Sequence, residues 1–273
     1  MIRIGIHLSS SGGMLSIAAR AKELRCKAIQ IFTSNQRQWA GRKLDPVEEG
    51  AAASLGIPVF SHASYLINLA SSRPDVVRLS EMAIRQELER SGFLGIHWIV
   101  LHPGSHLGRG VRAGLSSAAK RLRSALMDCP GEVGVLLENS AGQGTGICSR
   151  LEDLAGMLDL VGLPRRTGVC FDTAHAFAAG YDLSSVPAME HAAGLLDRAV
   201  GLERVLALHL NDSRSDLGSK SDRHEEVGCG LIGVGPLAAL CRLPRLQHAV
   251  GIVETPGTDR DRLRDARRIR RRA

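Results

Sequence analysis

The chain has 273 residues, 44% of them hydrophobic and 23% charged, with a formal net charge of +7. That is ample apolar material for one large core. No apolar run approaches the roughly 18 residues that span a membrane, and aromatics at 3% are too sparse for the base-stacking platforms of single-strand binders. The charge is uneven: residues 259–273 hold eight Arg against three Asp, which leaves only +2 for the rest of the chain. Arginines at the end of a final helix are favoured by the helix dipole alone. The six cysteines (Cys26, Cys129, Cys148, Cys170, Cys229, Cys241) form no Cys-x-x-Cys pair, as expected of reduced thiols in a cytosolic protein. The strand-like MIRIGIHL begins at Met1, so no signal peptide and a cytoplasmic location are expected.

Eight apolar, β-branched-rich runs follow one another at residues 2–8, 28–33, 57–62, 98–102, 133–138, 167–172, 205–210 and 249–254. Segments with helical spacing lie between them. AKELR follows the first run. DPVEE follows the second, with Asp45 as N-cap, Pro46 at the first helical position and Glu48 closing a capping box. DVVRLSEMAIRQELERSG follows the third and stops at Gly92. AAKRLRSALMD, RLEDLAGMLDLVG, MEHAAGLLDRAVG, PLAALCRL and DRLRDARRIRR follow the others. Strict alternation predicts a parallel sheet, and eight repeats predict closure into a single (β/α)8 TIM barrel of about 250 residues. Residues 1–258 form its body, and 259–273 a basic C-terminal helix or tail of the same domain.

Six successive runs end on a group able to bind a divalent metal: His62, His102, Glu138, Asp172, His209 and Glu254. Short tails beyond those ends add His175 in DTAH, and Asp222 and His224 in DRH. In a barrel of this kind the C-terminal strand ends face one cavity, so the nine should converge. Four carboxylates crowded there repel one another, and about three divalent cations would offset them and favour an anionic substrate. Imidazole and carboxylate without thiolate point to Zn²⁺, with Mn²⁺ or Fe²⁺ as alternatives. His7 and His106 lie near the mouth and are candidates for supporting or substrate contacts. His97, His191 and His248 have no such partners in sequence and read as surface residues.

Three loops add candidates for nucleic-acid contact. SNQRQW carries Arg37, and HASYLINL carries Tyr65 and Leu66; a cation beside an apolar wedge can hold open a distorted duplex. Residues 211–233, rich in Gly and Ser, bring Arg214, Lys220 and Arg223 as a phosphate-gripping loop. Ser9-Ser10-Ser11-Gly12-Gly13 is also suited to phosphate.

From IGIHLSSSGG through FTSNQRQW, HASYLINLA, LHPGSHL, LENSAGQG, GVCFDTAHAFAAGYDL and LHLNDSRSDLGSKSDRHEEVGCGLIG to IVETPG, the chain closely resembles endonuclease IV, the family-2 apurinic/apyrimidinic endonucleases of base-excision repair. The basic tail after residue 258 lies outside the resemblance. The family implies three zinc ions: the first on His62, His102 and Glu138; the second on Glu138, Asp172, His209 and Glu254; the third on His175, Asp222 and His224. It implies hydrolysis of the phosphodiester 5′ to an abasic site in duplex DNA, leaving a 3′-hydroxyl and a 5′-deoxyribose phosphate, together with removal of 3′-blocking groups by a monomer with no protein partner. Glu138 and Glu254 take the catalytic positions, Glu254 also orienting or deprotonating the attacking water. Arg37, Tyr65 and Leu66 match the residues inserted into DNA. Two departures stand out: a somewhat short segment between the second and third strands, and Cys229 in place of a usually charged residue. A xylose-isomerase-like sugar isomerase or epimerase is the alternative, disfavoured by His175 with the DRH set and by the SNQRQW and SYLIN loops.

Overall fold

The computed structural model describes residues 1–39, 41, 43–129 and 131–273. Eight parallel strands close into a barrel: β1 (Arg3–His7), β2 (Ile29–Phe32), β3 (Val59–His62), β4 (Trp98–Leu101), β5 (Gly134–Glu138), β6 (Thr167–Asp172), β7 (Val205–His209) and, after a two-stranded ribbon of β8 (Asp212–Ser213) with β9 (His224–Glu225), β10 (Val250–Val253). β10 pairs with both β7 and β1, which closes the ring. The eight expected runs match these strands to within two residues at each end.

The side-chain alternation of a strand explains the interior. Ala28, Phe60, Val100, Leu136, Cys170, Ala207 and Ile252 form one buried cluster. Two residues further along the same strands come Gln30, His62, His102, Glu138, Asp172, His209 and Glu254, the next inward step toward the C-terminal end. A hydrophobic layer therefore floors a polar one. On β1 the inward step before His7 is Gly5, where a Cβ would lie 1.9 Å from the Ala28 carbonyl oxygen; only glycine allows the two strands to approach so closely.

The outer helices are α1 (Gly13–Glu23), α2 (Pro74–Leu94), α3 (Val111–Asp128), α4 (Leu151–Val161), α5 (Thr173–Ala179), α6 (Val186–Val200), α7 (Val234–Arg242) and α8 (Asp259–Arg272). Three differences from the sequence reading have local causes. The DPVEE segment keeps its capping box but makes only a 3-10 turn, Pro46–Glu48. Glu48 is buried and accepts the Met14 N–H at 2.6 Å, so it caps α1 rather than opening a helix of its own. The N–H groups of Gly50 and Ala52 then bond to the carbonyls of Phe93 and Leu94 at the end of α2. The α2 helix itself runs past Gly92 to Leu94, because the left-handed position its C-terminus requires falls on Gly95 (φ 77°). The short α5 helix follows β6 directly, with the Asp172 side chain capping it by accepting the His175 N–H.

The basic C-terminal segment is a helix packed on the barrel. In α8, Leu263, Asp265, Ala266 and Ile269 are buried, and Arg270, Arg271 and Arg272 fill the last turn. Among the described residues no helix is long and apolar enough to cross a membrane. All six cysteines are free thiols, five of them buried.

Candidate metal centre

The nine candidate residues meet at the C-terminal mouth of the barrel in three overlapping groups. In the first, Nε2 of His62 and of His102 stand 3.2 and 3.4 Å from Glu138 Oε2. In the second, His209 Nδ1 faces Glu254 Oε2 at 2.9 Å, Glu138 Oε1 at 3.0 Å and Asp172 Oδ2 at 3.6 Å. In the third, Asp172, His175 and His224 bring one ligand atom each into a common space. Asp222 adjoins it, with its oxygens 3.2 Å from His175 Nε2 and 3.3 Å from His224 Nε2. Within each group the donor atoms lie inside 4.8 Å of one another. Glu138 links the first two groups and Asp172 the last two.

His62, His175 and His209 are each held so that one nitrogen is committed and the other is aimed inward. His62 Nδ1 donates to the Ala63 carbonyl at 2.8 Å, leaving Nε2 for Glu138. His175 Nδ1 lies 3.0 Å from the Asn139 carbonyl, leaving Nε2 for Asp222. His224 Nε2 is buried with no hydrogen-bond partner although two carboxylates lie nearby. A buried imidazole nitrogen of this kind is costly unless something else satisfies it. A divalent cation fits, and so does the donor set of imidazoles and carboxylates.

Electrostatics agree with the geometry. Burial pushes the carboxyls of Glu138 and Glu254 up, but His102 and His209 beside the first, and His209 and His7 beside the second, outweigh it and hold both well below the usual range. Asp222 is likewise raised by desolvation but brought down to about 2 by His175 and His224. The carboxylates in turn overcome burial at His175 and His209 and hold both imidazoles well above their ordinary value. At His102 burial prevails over Glu138 and brings the imidazole down to about 4. The cluster thus holds protons as counter-charges where cations would serve better. Glu138, Asp172 and His209 are buried, whereas the side chains of His102 and Asp222 are 30% and 41% exposed and form the open rim.

Amides and a hydroxyl not singled out by the sequence reading frame the cluster. Asn139 accepts the Asp172 N–H and donates to its carbonyl, and Asn211 donates to Asp172 Oδ2 at 2.7 Å and accepts the Glu254 N–H. Thr173 Oγ1 lies 3.1 Å from the His209 carbonyl and 2.6 Å from that of Asn211. Gln30 spans from His209 to Glu254. The alternation of β2 could have found it, since Gln30 stands to Ala28 as His62 stands to Phe60.

Of the other candidates, His7 lies 3.0 Å from Glu254 Oε1. His106 instead accepts the Gly110 N–H in a turn, and His97, His191 and His248 are exposed. Tyr65 is exposed, with its ring 5.5 Å from His62 and 5.9 Å from His102; Leu66 beside it is half-buried. Arg37 is exposed on the adjoining loop, which Ser64 ties to Tyr65 by donating to the Gln36 carbonyl. Arg214, Lys220 and Arg223 are exposed around Asp222 and His224. The 211–233 loop is gathered by Asp212, whose buried carboxylate accepts five N–H groups, from Ser213, Gly228, Gly230, Ile232 and Gly233. Cys229 is exposed between two of those donors. A cavity of about 1110 Å³ opens beside the centre, lined by Ser9, Ser10, Asn35, Gln36 and Arg262 and sharing His7 with it.

A barrel with this mouth belongs to a broad class: a family model described as "Xylose isomerase-like TIM barrel" matches residues 18–272, the basic α8 included. Similarity to a D-tagatose 3-epimerase-like protein, TM-score 0.74 at 19% identity over 99% of this chain and 97% of that one, shows the fold alone. Closer relatives narrow it. Probable endonuclease 4 of Chloroflexus aggregans (strain MD-66 / DSM 9485) is 43% identical, covering 94% of this chain and 92% of that protein. Probable endonuclease 4 of Halorhodospira halophila (strain DSM 244 / SL1) is 41% identical, covering 94% and 89%. The crystal structure of endonuclease IV from Thermus thermophilus matches with a TM-score of 0.86 at 36% identity, over 99% of this chain and 100% of that one. The chain belongs to the endonuclease IV family and is therefore a nuclease, a phosphodiester-cleaving hydrolase.

Proposed function

We propose that the protein repairs duplex DNA by hydrolysing the phosphodiester 5′ to abasic sites, leaving a 3′-hydroxyl and a 5′-deoxyribose phosphate, and that the same centre removes 3′-blocking groups. The observation that carries this reading is the convergence of nine imidazole and carboxylate groups in three overlapping sets in a chain of this family. His62, His102 and Glu138 would hold one metal; Glu138, Asp172, His209 and Glu254 a second; His175, His224 and Asp222, with Asp172 alongside, a third. Zn²⁺ suits the donors best, with Mn²⁺ or Fe²⁺ as substitutes. Bound there, such cations supply Lewis acidity, lowering the pKa of water and neutralising phosphate charge.

The protein's own groups divide the rest of the work. Glu254 keeps Oε1 tied to His7 and turns Oε2 toward the centre, which suits it to orient the attacking water and accept its proton. Glu138, ionised and shared between two groups, fixes their spacing. Tyr65, whose ring stands beside His62 and His102, its neighbour Leu66, and Arg37 on the adjoining loop form a wedge for the duplex. Arg214, Lys220 and Arg223 meet the backbone. An abasic nucleotide has no pairing or stacking to lose and is the cheapest to extrude, so selectivity follows from deforming the duplex. The protein acts as a monomer in the cytoplasm.

The test is cleavage of a duplex carrying one tetrahydrofuran abasic analogue. A nick on its 5′ side, far faster than on undamaged duplex, is the expected result. The analogue lacks the C1′ aldehyde that lyase chemistry needs, so cutting it means hydrolysis. Nicking on the 3′ side alone, or pentose epimerisation without nicking, would overturn the reading.

A further inference from the structure

Gln30 is fully buried within β2, with both ends of its amide engaged. Its Oε1 lies 2.9 Å from His209 Nε2, and its Nε2 lies 2.6 Å from Glu254 Oε1 and 3.1 Å from His7 Nδ1. The amide has one workable orientation. Turned over, it would set its oxygen against the ionised Glu254 oxygen, two acceptors with no proton between them. In the orientation present, Oε1 can only accept, so His209 must carry a proton on Nε2. That leaves Nδ1, which faces Glu254 Oε2, Glu138 Oε1 and Asp172 Oδ2, as the nitrogen that would exchange its proton for a cation. At the other end the amide N–H and His7 converge on Glu254 Oε1, which turns Oε2 toward the same point.

We infer that Gln30 is a positioning residue of the centre: one side-chain amide fixes the tautomer of His209 and the orientation of Glu254, so that His209 Nδ1 and Glu254 Oε2 present to a common cation. The inference rests on the metal-centre reading above. A carbonyl that accepts from the far nitrogen of a metal-binding imidazole is a recurrent support for such sites. Here the carbonyl comes from a side chain reaching from β2 to β7, and the amide's remaining capacity secures a second ligand. A backbone carbonyl could do the first task but not the second.

The experiment compares wild type, Gln30→Met and Gln30→Glu. Met keeps the approximate length and removes both hydrogen bonds; Glu keeps the acceptor facing His209 and removes the donor facing Glu254. Zinc affinity is measured by competition with a chromophoric chelator, and the His209 Nε2–H proton is followed by NMR in the zinc-loaded proteins. Gln30→Met should bind zinc at this position roughly 10- to 100-fold more weakly and lose the His209 Nε2–H resonance. Gln30→Glu should keep that resonance, while its single-turnover nicking falls at least about tenfold as the two carboxylates push apart. Gln30→Met with zinc affinity within about twofold of wild type and an unchanged resonance would overturn the inference, as would loss of the resonance in a folded Gln30→Glu. Wild-type protein that loads zinc but leaves the tetrahydrofuran duplex intact would overturn the functional reading instead, and the affinity comparison would still decide the role of Gln30.

Discussion

Glu254 shows how one side chain acquires two tasks. Its backbone N–H is held by Asn211, Oε1 by His7 and Gln30, and Oε2 faces His209. Burial alone would push its carboxyl up, but His209 and His7 keep it well below the usual range, so it is ionised at neutral pH and able to accept a proton. Glu254→Gln keeps the size and removes that capacity. Its single-turnover cleavage rate should fall by roughly 10²-fold or more, while abasic-duplex binding changes much less; rapid-quench kinetics paired with equilibrium binding would show this. A near-normal rate would mean that water is activated elsewhere. Arg37→Ala should show the opposite pattern, weaker binding with a nearly unchanged chemical step, because Arg37 is an exposed loop residue that supplies none of the ligand atoms. At this scale the candidates were readable because six of them end an apolar run, His175 follows one within three residues, and Asp222 and His224 stand together in the DRH of the loop after the seventh run. Asn139 and Asn211 were not, since an amide beside such a run has no distinctive chemistry until its partners are known; Gln30 was open to the alternation of β2, but only its inward position and not its partners.

At the scale of elements, the segment after β7 is held by one carboxylate rather than by a core. Asp212 gathers five N–H groups, and the β8–β9 ribbon it anchors carries His224, with Asp222 two residues before it. Asp265 of α8 accepts the Val227 N–H and the Thr255 hydroxyl, tying the far end of the loop to the exit of β10. Asp212→Ala would leave those donors unpaired in a buried place, at a cost of about 3 kcal/mol or more. The expected outcome is a lower melting temperature and loss of about one metal in three, the one near His224; elemental analysis of the purified variant would check it, and a full metal complement would refute the link. The elements that sequence patterning missed have the same character. DPVEE carries every mark of a helix start, but Glu48 is drawn to the N-terminus of α1, thirty-four residues back in the chain. The α5 helix was hidden because its cap, Asp172, also reads as a strand-end ligand. Tertiary partners decided both, and local pattern does not contain them.

For the whole molecule, the buried charge cluster makes stability depend on what occupies it. The inner carboxylates are held below their ordinary values and His175 and His209 above theirs. In metal-free protein the lowered carboxyls contribute stability that is present above their unfolded values and lost as pH falls through the folded ones. The raised imidazoles contribute stability that is complete below about 6.5 and lost as pH rises through their folded values. His102, held at about 4 by burial, and His7, lowered likewise, work the other way, because the unfolded chain takes up their protons below about 6.5 while the fold does not. Metal-free protein should therefore be most stable at about pH 6.5 and should melt at lower temperature as pH falls or rises from there. Zinc reverses the second trend. It competes with the protons on His175 and His209, so its binding releases protons and tightens as pH rises, and the stabilisation it adds grows with affinity. Thermal scans of chelator-stripped and zinc-reloaded protein across pH 5–9, with proton release followed in weak buffer, would measure both. About three zinc ions per chain and a gap in melting temperature that widens with pH are the expected results. A gap that narrows with pH, or reloading to one ion or fewer, would show that the clustered imidazoles and carboxylates pair with one another rather than with metal.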